Sequence, residues 1–176
     1  MTKPDSSALE LSRPLAVTQL GAAGTEQEVL ATAEECAAIA ARLHIPAVGA
    51  LSCRFHLGPL RGGTVVAQGR LSARVTRDCV VTMEPFEADL REDFRIRFVP
   101  AERLADDDDL LDLEADDEVP YHGVHLDLGE AAVEQLALAL DPYPRMPGAE
   151  LPAPPAEDDG APASPFAALA RRARQA

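Results

Sequence analysis

The chain has 176 residues and a formal net charge of −14 at pH 7; 47% of its residues are hydrophobic and 4% are aromatic. The length fits one domain with tails, and no apolar run reaches the roughly 20 residues of a membrane-spanning helix. Three widely spaced cysteines, Cys36, Cys53 and Cys79, argue against a disulfide framework and favour a reducing compartment. Because the N-terminus also lacks an apolar signal segment, a cytoplasmic protein is expected.

The charge is unevenly distributed along the chain. Residues 1–100 carry 11 basic and 12 acidic residues, residues 101–164 carry 2 and 18, and residues 165–176 carry three arginines. An acidic region repels phosphate and attracts cationic partners. It also keeps a chain soluble without binding anything, so both interpretations stay open at this point.

The first part of the chain predicts two short strands and a helix. Strands are expected within residues 8–17 and 25–31, and a helix over 32–43 ends before Pro46. Thr32 and Glu35 have the spacing of a capping box, in which each side chain satisfies the backbone N–H of the other residue. Apolar residues follow at helical spacing and form one stripe: Cys36, Ile39, Ala40 and Leu43.

Three strands with a period of two come next. Apolar and polar side chains alternate over residues 51–57, 65–75 and 86–98, and Gly62–Gly63 supplies a turn that accommodates positive φ. Strands that are apolar on one face only are typical of antiparallel sheets, and ion pairs between strands are expected on the solvent face. The single glycine inside a strand, Gly69, predicts a bulge or a close contact.

The second half begins with an acidic excursion over residues 105–120, followed by a short strand at 121–128 and a helix at 128–140. Residues 146–164 are rich in proline and are expected to form an extended, disordered linker. Residues 165–176 predict a short basic helix, too short to be stable alone.

The predicted fold is α+β, in a single domain of residues 1–145. It contains one antiparallel sheet of about five or six strands, in a barrel-like arrangement covered by the two helices at 32–43 and 128–140. Strand order cannot be read from the sequence.

Cys79 decides whether an enzyme or a metal protein is expected. A structural zinc site usually needs four ligands, often in Cys-x2-Cys pairs, but Thr76 occupies the position three residues before Cys79. A cysteine nucleophile needs a base, and none of the four histidines lies in a recognisable nucleophile motif. Packing is therefore the favoured role for Cys79, with no metal or cofactor expected. An enzyme that uses Cys79 remains an alternative, which an unusually low thiol pKa would favour.

Three segments in order resemble one family. "GRLSARVTRDCVVTMEPFEADLREDFRIRF" is similar to the centre of the YceD-like family of bacterial proteins, also called large ribosomal RNA subunit accumulation proteins. "LDLGEAAVEQLALALDPYPR" resembles the family's "IDLGE"-type entry into a helix, and "SPFAALARR" resembles its closing Asn/Ser-Pro-Phe-Ala-x-Leu motif. Many members read Cys-x-Arg-Cys where this chain has Thr76 to Cys79, and they carry further cysteines where it has Tyr143 to Met146. A metal-binding role in relatives is therefore not carried over.

The resemblance implies a non-enzymatic ribosome-biogenesis factor that supports synthesis, processing or stability of large-subunit ribosomal RNA. Its partner is expected to be this RNA or a basic ribosomal protein, with neither DNA nor a membrane involved. The RNA would contact arginines on the polar face of the sheet and at the chain end: Arg70, Arg74, Arg91, Arg95, Arg97, Arg171, Arg172 and Arg174.

A basic ribosomal protein would instead contact the acidic residues 105–118, which include Asp106, Asp107, Asp108 and Asp109. Phe166, on the apolar side of the terminal helix, is the remaining binding candidate. The sequence pI of about 4.6 favours the protein partner, because phosphate-binding domains are usually basic. A general α+β interaction module without a ribosomal role is a further alternative.

Overall fold

The computed structural model describes residues 9–104 and 117–151. Its main sheet has five strands, which lie in the order β2 (Thr25–Leu30), β3 (Ala47–Pro59), β4 (Val65–Asp78), β5 (Pro85–Pro100) and β6 (Asp117–Tyr121). Two further strands pair with each other in a separate small sheet: β1 (Pro14–Ala16) and β7 (His125–Asp127). The helices are α1 (Ala33–Leu43), α2 (Ala101–Leu104) and α3 (Leu128–Ala139).

The α+β class and a mainly antiparallel sheet are confirmed, but the barrel-like arrangement is wrong. The sheet is open, with β2 and β6 at its ends. β6 also runs parallel to β5, contrary to the all-antiparallel prediction. Parallel neighbours need a crossover of about a dozen residues or more, and residues 101–116 provide one.

The acidic excursion is shorter than the predicted 105–120, because Asp117 already belongs to β6. Two features fix this strand against the sheet. Tyr121 is buried and donates a hydrogen bond to the Gly63 carbonyl at 2.6 Å, and Glu118 forms an ion pair with Arg97. Acidic residues therefore join the sheet where a cross-strand arginine neutralises one of them.

The two strands predicted at residues 8–17 and 121–128 are also shorter in the structure than predicted. Of the predicted strand at 8–17, the structure describes residues 9–17, and among these only Pro14–Ala16 form a strand, which pairs with β7 outside the main sheet. The segment 121–128 is interrupted at residues 122–124, where Gly123 takes a φ of 70°. A positive φ at this glycine ends β6 before β7 begins.

The long hairpins follow the predicted alternation. β4 pairs with β5 in an unbroken register from Val65–Phe98 to Asp78–Pro85, and the β3–β4 pairing has one irregularity, at Gly49. Gly69 makes the predicted close contact: a Cβ atom there would lie 2.1 Å from the ring of Phe94. The Phe94 ring packs edge-on against Phe55, with centroids 5.7 Å apart.

One core lies between the inner face of the main sheet, helices α1 and α3, and the β1–β7 sheet. The sheet contributes fully buried residues such as Phe55, Leu71 and Phe98, and the helices contribute Ile39 and Leu136. Burying a side chain of this size contributes roughly 1.5–3 kcal/mol. Both predicted helices therefore contribute buried residues to this core.

Helix α1 begins with the predicted capping box. The Thr32 hydroxyl accepts from the Glu35 N–H, and the Glu35 carboxylate accepts from the Thr32 N–H at 2.8 Å. Glu35 also receives two hydrogen bonds from the Arg13 guanidinium, at 2.8 and 2.9 Å. These bonds, chiefly the one from Arg13, lower the pKa of Glu35 to about 2. The pair ties the N-terminal segment to the helix.

Helix α3 begins at a point of close backbone contact. The Asp127 carboxylate accepts from the N–H groups of Gly129 and Glu130, at 3.0 and 3.1 Å, and from the Arg13 N–H at 2.9 Å. Leu11 runs so close that a Cβ at Gly129 would lie 2.6 Å from its carbonyl oxygen. The "LDLGE" motif therefore brings together the end of β7, the start of α3 and the N-terminal segment that contains Leu11 and Arg13.

Candidate functional site

The predicted arginine face lies on the solvent side of the main sheet, and most of its arginines are engaged by carboxylates. Arg70 pairs with Asp93 at 2.7 Å, and Arg74 pairs with Asp89 at 2.9 Å. Arg97 pairs with Glu118 across the β5–β6 boundary, at 2.7 Å. The cross-strand registers set these partners, because Arg70 lies opposite Asp93 and Arg74 opposite Asp89.

The remaining arginines of this face are placed by the same registers. Arg91 is exposed and lies opposite Ser72, whereas Arg95 lies opposite Gln68 and makes polar interactions of its own. On the neighbouring strands Arg54 pairs with Glu28 at 2.9 Å. The face is therefore built largely of alternating charges, and four arginine–carboxylate pairs neutralise much of its positive charge.

Cys79 lies in the loop that joins β4 to β5 and is fully buried. Its thiol sulfur accepts a hydrogen bond from the Met146 N–H at 3.3 Å, so the loop contacts the segment after α3. Met83 completes the tight loop with a φ of 60°, and its N–H donates to the Cys79 carbonyl. Packing, the predicted role of Cys79, agrees with this burial.

The acidity of the Cys79 thiol is unusual for a buried group. Hydrogen bonds, chiefly from the Thr82 hydroxyl and then from the Met146 N–H, lower its pKa to about 7. Burial acts in the opposite direction. The low pKa is the sign that would favour a nucleophile, but a nucleophile also needs access to substrate, and this side chain has none of its surface exposed.

A groove that the sequence did not predict lies between the end of α1, strand β6 and helix α3, with a volume of about 570 Å³. Its apolar lining includes Leu43, Val119 and Val133, together with Leu138, which is 71% exposed. A leucine with this exposure beside other apolar residues forms a small exposed apolar patch. The sequence feature that could have indicated this groove is the position of Leu138, an apolar residue outside the apolar stripe of α3.

Three carboxylates line the same groove: Asp117, Glu118 and Glu134. Burial, and secondly the nearby Glu130, raises the pKa of Glu134. Among residues 9–104 and 117–151, Glu134 has no basic partner in an ion pair, and the nearest groove cation, Arg42, is held by Glu130 at 2.6 Å and Glu10 at 3.0 Å. The groove thus combines apolar surface with a carboxylate that no ion pair among the described residues neutralises.

Several predicted site residues lie outside the described residues. They are Asp106, Asp107, Asp108 and Asp109 of the acidic segment, and Phe166, Arg171, Arg172 and Arg174 of the chain end. Residues 152–164 of the predicted linker also lie outside, while residues 146–151 contain a turn at Gly148.

Two general features of the described part of the chain bear on function. Within residues 9–104 and 117–151, no three His, Cys, Asp or Glu side chains are grouped to hold a metal ion. None of the helices in these ranges is long and apolar enough to cross a membrane.

Comparison with known proteins gives one match. A family model described as "Large ribosomal RNA subunit accumulation protein YceD" matches residues 67–171, more than half of the chain. No curated protein and no solved structure matches. The matched range begins inside β4, includes the groove residues of β6 and α3, and extends to Arg171. The resemblance found in the sequence is confirmed.

Proposed function

Because the chain belongs to the YceD family of large ribosomal RNA subunit accumulation proteins, we propose that it acts without catalysis, by holding a basic segment of a large-subunit ribosomal protein in the groove. The observation that carries the proposal is the Glu134 carboxylate, which lines the groove beside apolar side chains and forms no ion pair with another described residue. Burial is the main cause that raises its pKa. A lysine or arginine beside it would relieve the cost of its burial. An adjacent apolar side chain of the same segment would cover Leu138.

The charge of the whole chain supports a cationic partner. The net charge of −14 attracts basic proteins over a distance and repels phosphate. Residues 105–116, which precede β6 directly, add seven acidic residues to the approach of such a partner. Protection of a ribosomal protein until it assembles would in turn support the accumulation of large-subunit ribosomal RNA.

The competing role is direct binding of ribosomal RNA on the arginine face. Each exposed ion pair there is worth only about 0–1 kcal/mol, so phosphate could displace a single carboxylate at little cost. The displaced carboxylates would remain beside the phosphates and repel them, however. Binding of this kind draws its affinity from a net excess of cations, and the four pairs remove much of that excess.

A binding experiment distinguishes the two roles. The full-length chain is immobilised, and components of purified large ribosomal subunits are tested for retention on it. Protein-free large-subunit ribosomal RNA and the total protein of the same subunits are passed over it separately at moderate salt. We expect retention of ribosomal protein and not of RNA. Retention of RNA alone, unchanged when Asp106 to Asp109 are replaced by asparagine, would refute the proposal.

The enzyme alternative uses the acidic Cys79 thiol. We propose that its low pKa is a consequence of the loop's hydrogen bonds and has no catalytic role, since the thiol is buried. Alkylation of Cys79 in the folded chain should then be slow at pH 8, where the thiolate predominates. Rapid stoichiometric alkylation under native conditions would show an accessible thiolate and would reopen the enzyme hypothesis.

A further inference from the structure

We propose that the groove between α1, β6 and α3 is occupied in the free protein by the chain's own terminal segment, residues 165–176. The proposal concerns the same groove as the proposed function, but it can be tested without any ribosomal partner. It rests on the shape and charge of the groove and on the sequence of the terminal segment.

The terminal segment has the chemistry that the groove requires. The spacing of Phe166, Leu169 and Ala170 predicts one apolar face of a helix, with Ser164 expected as N-cap and Pro165 at the first helical position. Three arginines follow: Arg171, Arg172 and Arg174. A helix of this length is marginal in water, so it gains stability when its apolar face is covered.

The groove offers the complementary surface. Its apolar part includes Leu43, Val119 and the largely exposed Leu138, which can cover the Phe166 face. Its carboxylates include Asp117 and Glu134, and neither forms an ion pair with another residue that the structure describes. Arginines beside these carboxylates would compensate their charge. A segment that covers the groove would also exclude water, and the lower dielectric constant would strengthen these ion pairs.

The length of the chain permits this contact within one molecule. The described residues end at Leu151, and 13 residues, 152–164, separate it from the terminal segment. Thirteen residues span up to about 43 Å when extended, which exceeds the diameter of a domain of this size. A short tether raises the effective concentration of the segment to about the millimolar range.

Two other occupants are less favoured. A second copy of the chain would bring together two molecules that each carry a charge of −14, and like charges repel. Nucleic acid would place phosphates against Asp117 and Glu134. The tethered basic segment avoids both the repulsion between two acidic chains and the repulsion between phosphates and carboxylates.

Paramagnetic broadening in the full-length chain tests the proposal. A nitroxide is attached to Cys in the Gln175→Cys variant, which leaves the apolar face and the arginines intact. The amide signals of Leu43, Val119 and Leu138 should lose most of their intensity, and reduction of the nitroxide should restore it. The wild-type chain treated with the same reagent controls for any reaction at the native cysteines.

Matched substitutions show whether the groove is responsible. Leu138→Lys in the labelled chain should restore the intensities, because it removes apolar surface and adds a repelling charge. Leu60→Lys changes a comparably exposed leucine (53%) in the β3–β4 turn and should leave the broadening unchanged. Both positions are exposed, so both variants should fold.

Three results would overturn the proposal. They are an absence of broadening at the groove, broadening that survives Leu138→Lys, and broadening of an isotope-labelled chain by a separate spin-labelled chain, which would assign the groove to a second copy. None of these results would bear on capture of ribosomal protein by the immobilised chain. Failure of that capture would likewise leave the intramolecular contact standing.

Discussion

Gly129 lies at the start of α3 directly against the backbone of Leu11, whose carbonyl oxygen would be 2.6 Å from a Cβ atom at position 129. The contact explains why a glycine follows the capping Asp127 in the "LDLGE" motif. Asp127 binds the N-terminal segment through the Arg13 N–H, and Gly129 allows that segment to approach. The motif therefore has a structural role in joining the N-terminal segment to α3.

Gly129→Ala should destabilise the protein by about 1–3 kcal/mol, because backbone atoms must move to admit the methyl group. The sign of the change in unfolding free energy is diagnostic, because replacing glycine by alanine inside a helix normally stabilises the helix by up to about 1 kcal/mol. Urea unfolding followed by circular dichroism measures the change. Gly58→Ala is the matched control, because a Cβ there meets nothing within 4 Å. A stabilised Gly129→Ala variant would contradict the close contact.

Gly69→Ala should cost a similar 1–3 kcal/mol, because the new methyl group collides with the Phe94 ring. The collision disappears in a chain that also carries Phe94→Ala. The two substitutions should therefore be strongly non-additive in a double-mutant cycle. Additive losses in the free energy of unfolding would show that the ring does not occupy this space.

These two glycines illustrate what the sequence predicts and where it stops. The alternation in β4 and β5 fixes which face each side chain occupies, and Gly69 as a close contact follows from its place in that pattern. The role of Gly129 depends on where Leu11 lies, 118 positions away along the chain. No local spacing encodes such a contact.

The same limit applies to the functional site. The arginines of the sheet were identified from period-two alternation, but their partners depend on the registers that pair Arg70 with Asp93 and Arg74 with Asp89. The groove was missed because its walls come from α1, β6 and α3. The acidic composition of residues 105–120 also concealed β6, which pairs with its parallel neighbour β5.

Glu35→Gln should destabilise the protein by about 1 kcal/mol at pH 7, because it weakens both the capping box and the ion pair with Arg13. The folded-state pKa of Glu35 is lowered to about 2. Its stabilising contribution is therefore complete above the unfolded pKa of about 4.3 and is lost as the pH falls toward 2. The difference in unfolding free energy between wild type and variant should shrink over that range. The same substitution at the exposed neighbour Glu34, which takes part in neither interaction, should destabilise the protein less at pH 7. A constant difference for Glu35→Gln would refute the role of the ion pair.

In a parent chain that carries Arg171→Gln, Arg172→Gln and Arg174→Gln, which removes the terminal cations, Glu134→Gln should stabilise the protein at pH 7, because the folded state raises the pKa of this carboxyl group. The ionised form is the one that burial disfavours, so its cost is complete above the folded-state pKa. The cost disappears as the pH falls below the unfolded value of about 4.3, where both states are protonated. Thermal unfolding of the parent chain and of its Glu134→Gln variant between pH 4 and pH 7 measures this trend. A variant less stable than its parent at pH 7 would show that a residue other than the terminal arginines compensates Glu134.

The most direct test of the central claim is the affinity of the full-length chain for protein extracted from purified large ribosomal subunits, compared between Glu134→Lys and Glu87→Lys. The two variants change the net charge equally, but only the first places a cation in the groove, since Glu87 lies on β5 opposite Thr76. We predict that Glu134→Lys weakens binding at least tenfold, equivalent to about 1.4 kcal/mol, whereas Glu87→Lys changes it little. Equal weakening by both variants, or none by either, would contradict binding in the groove.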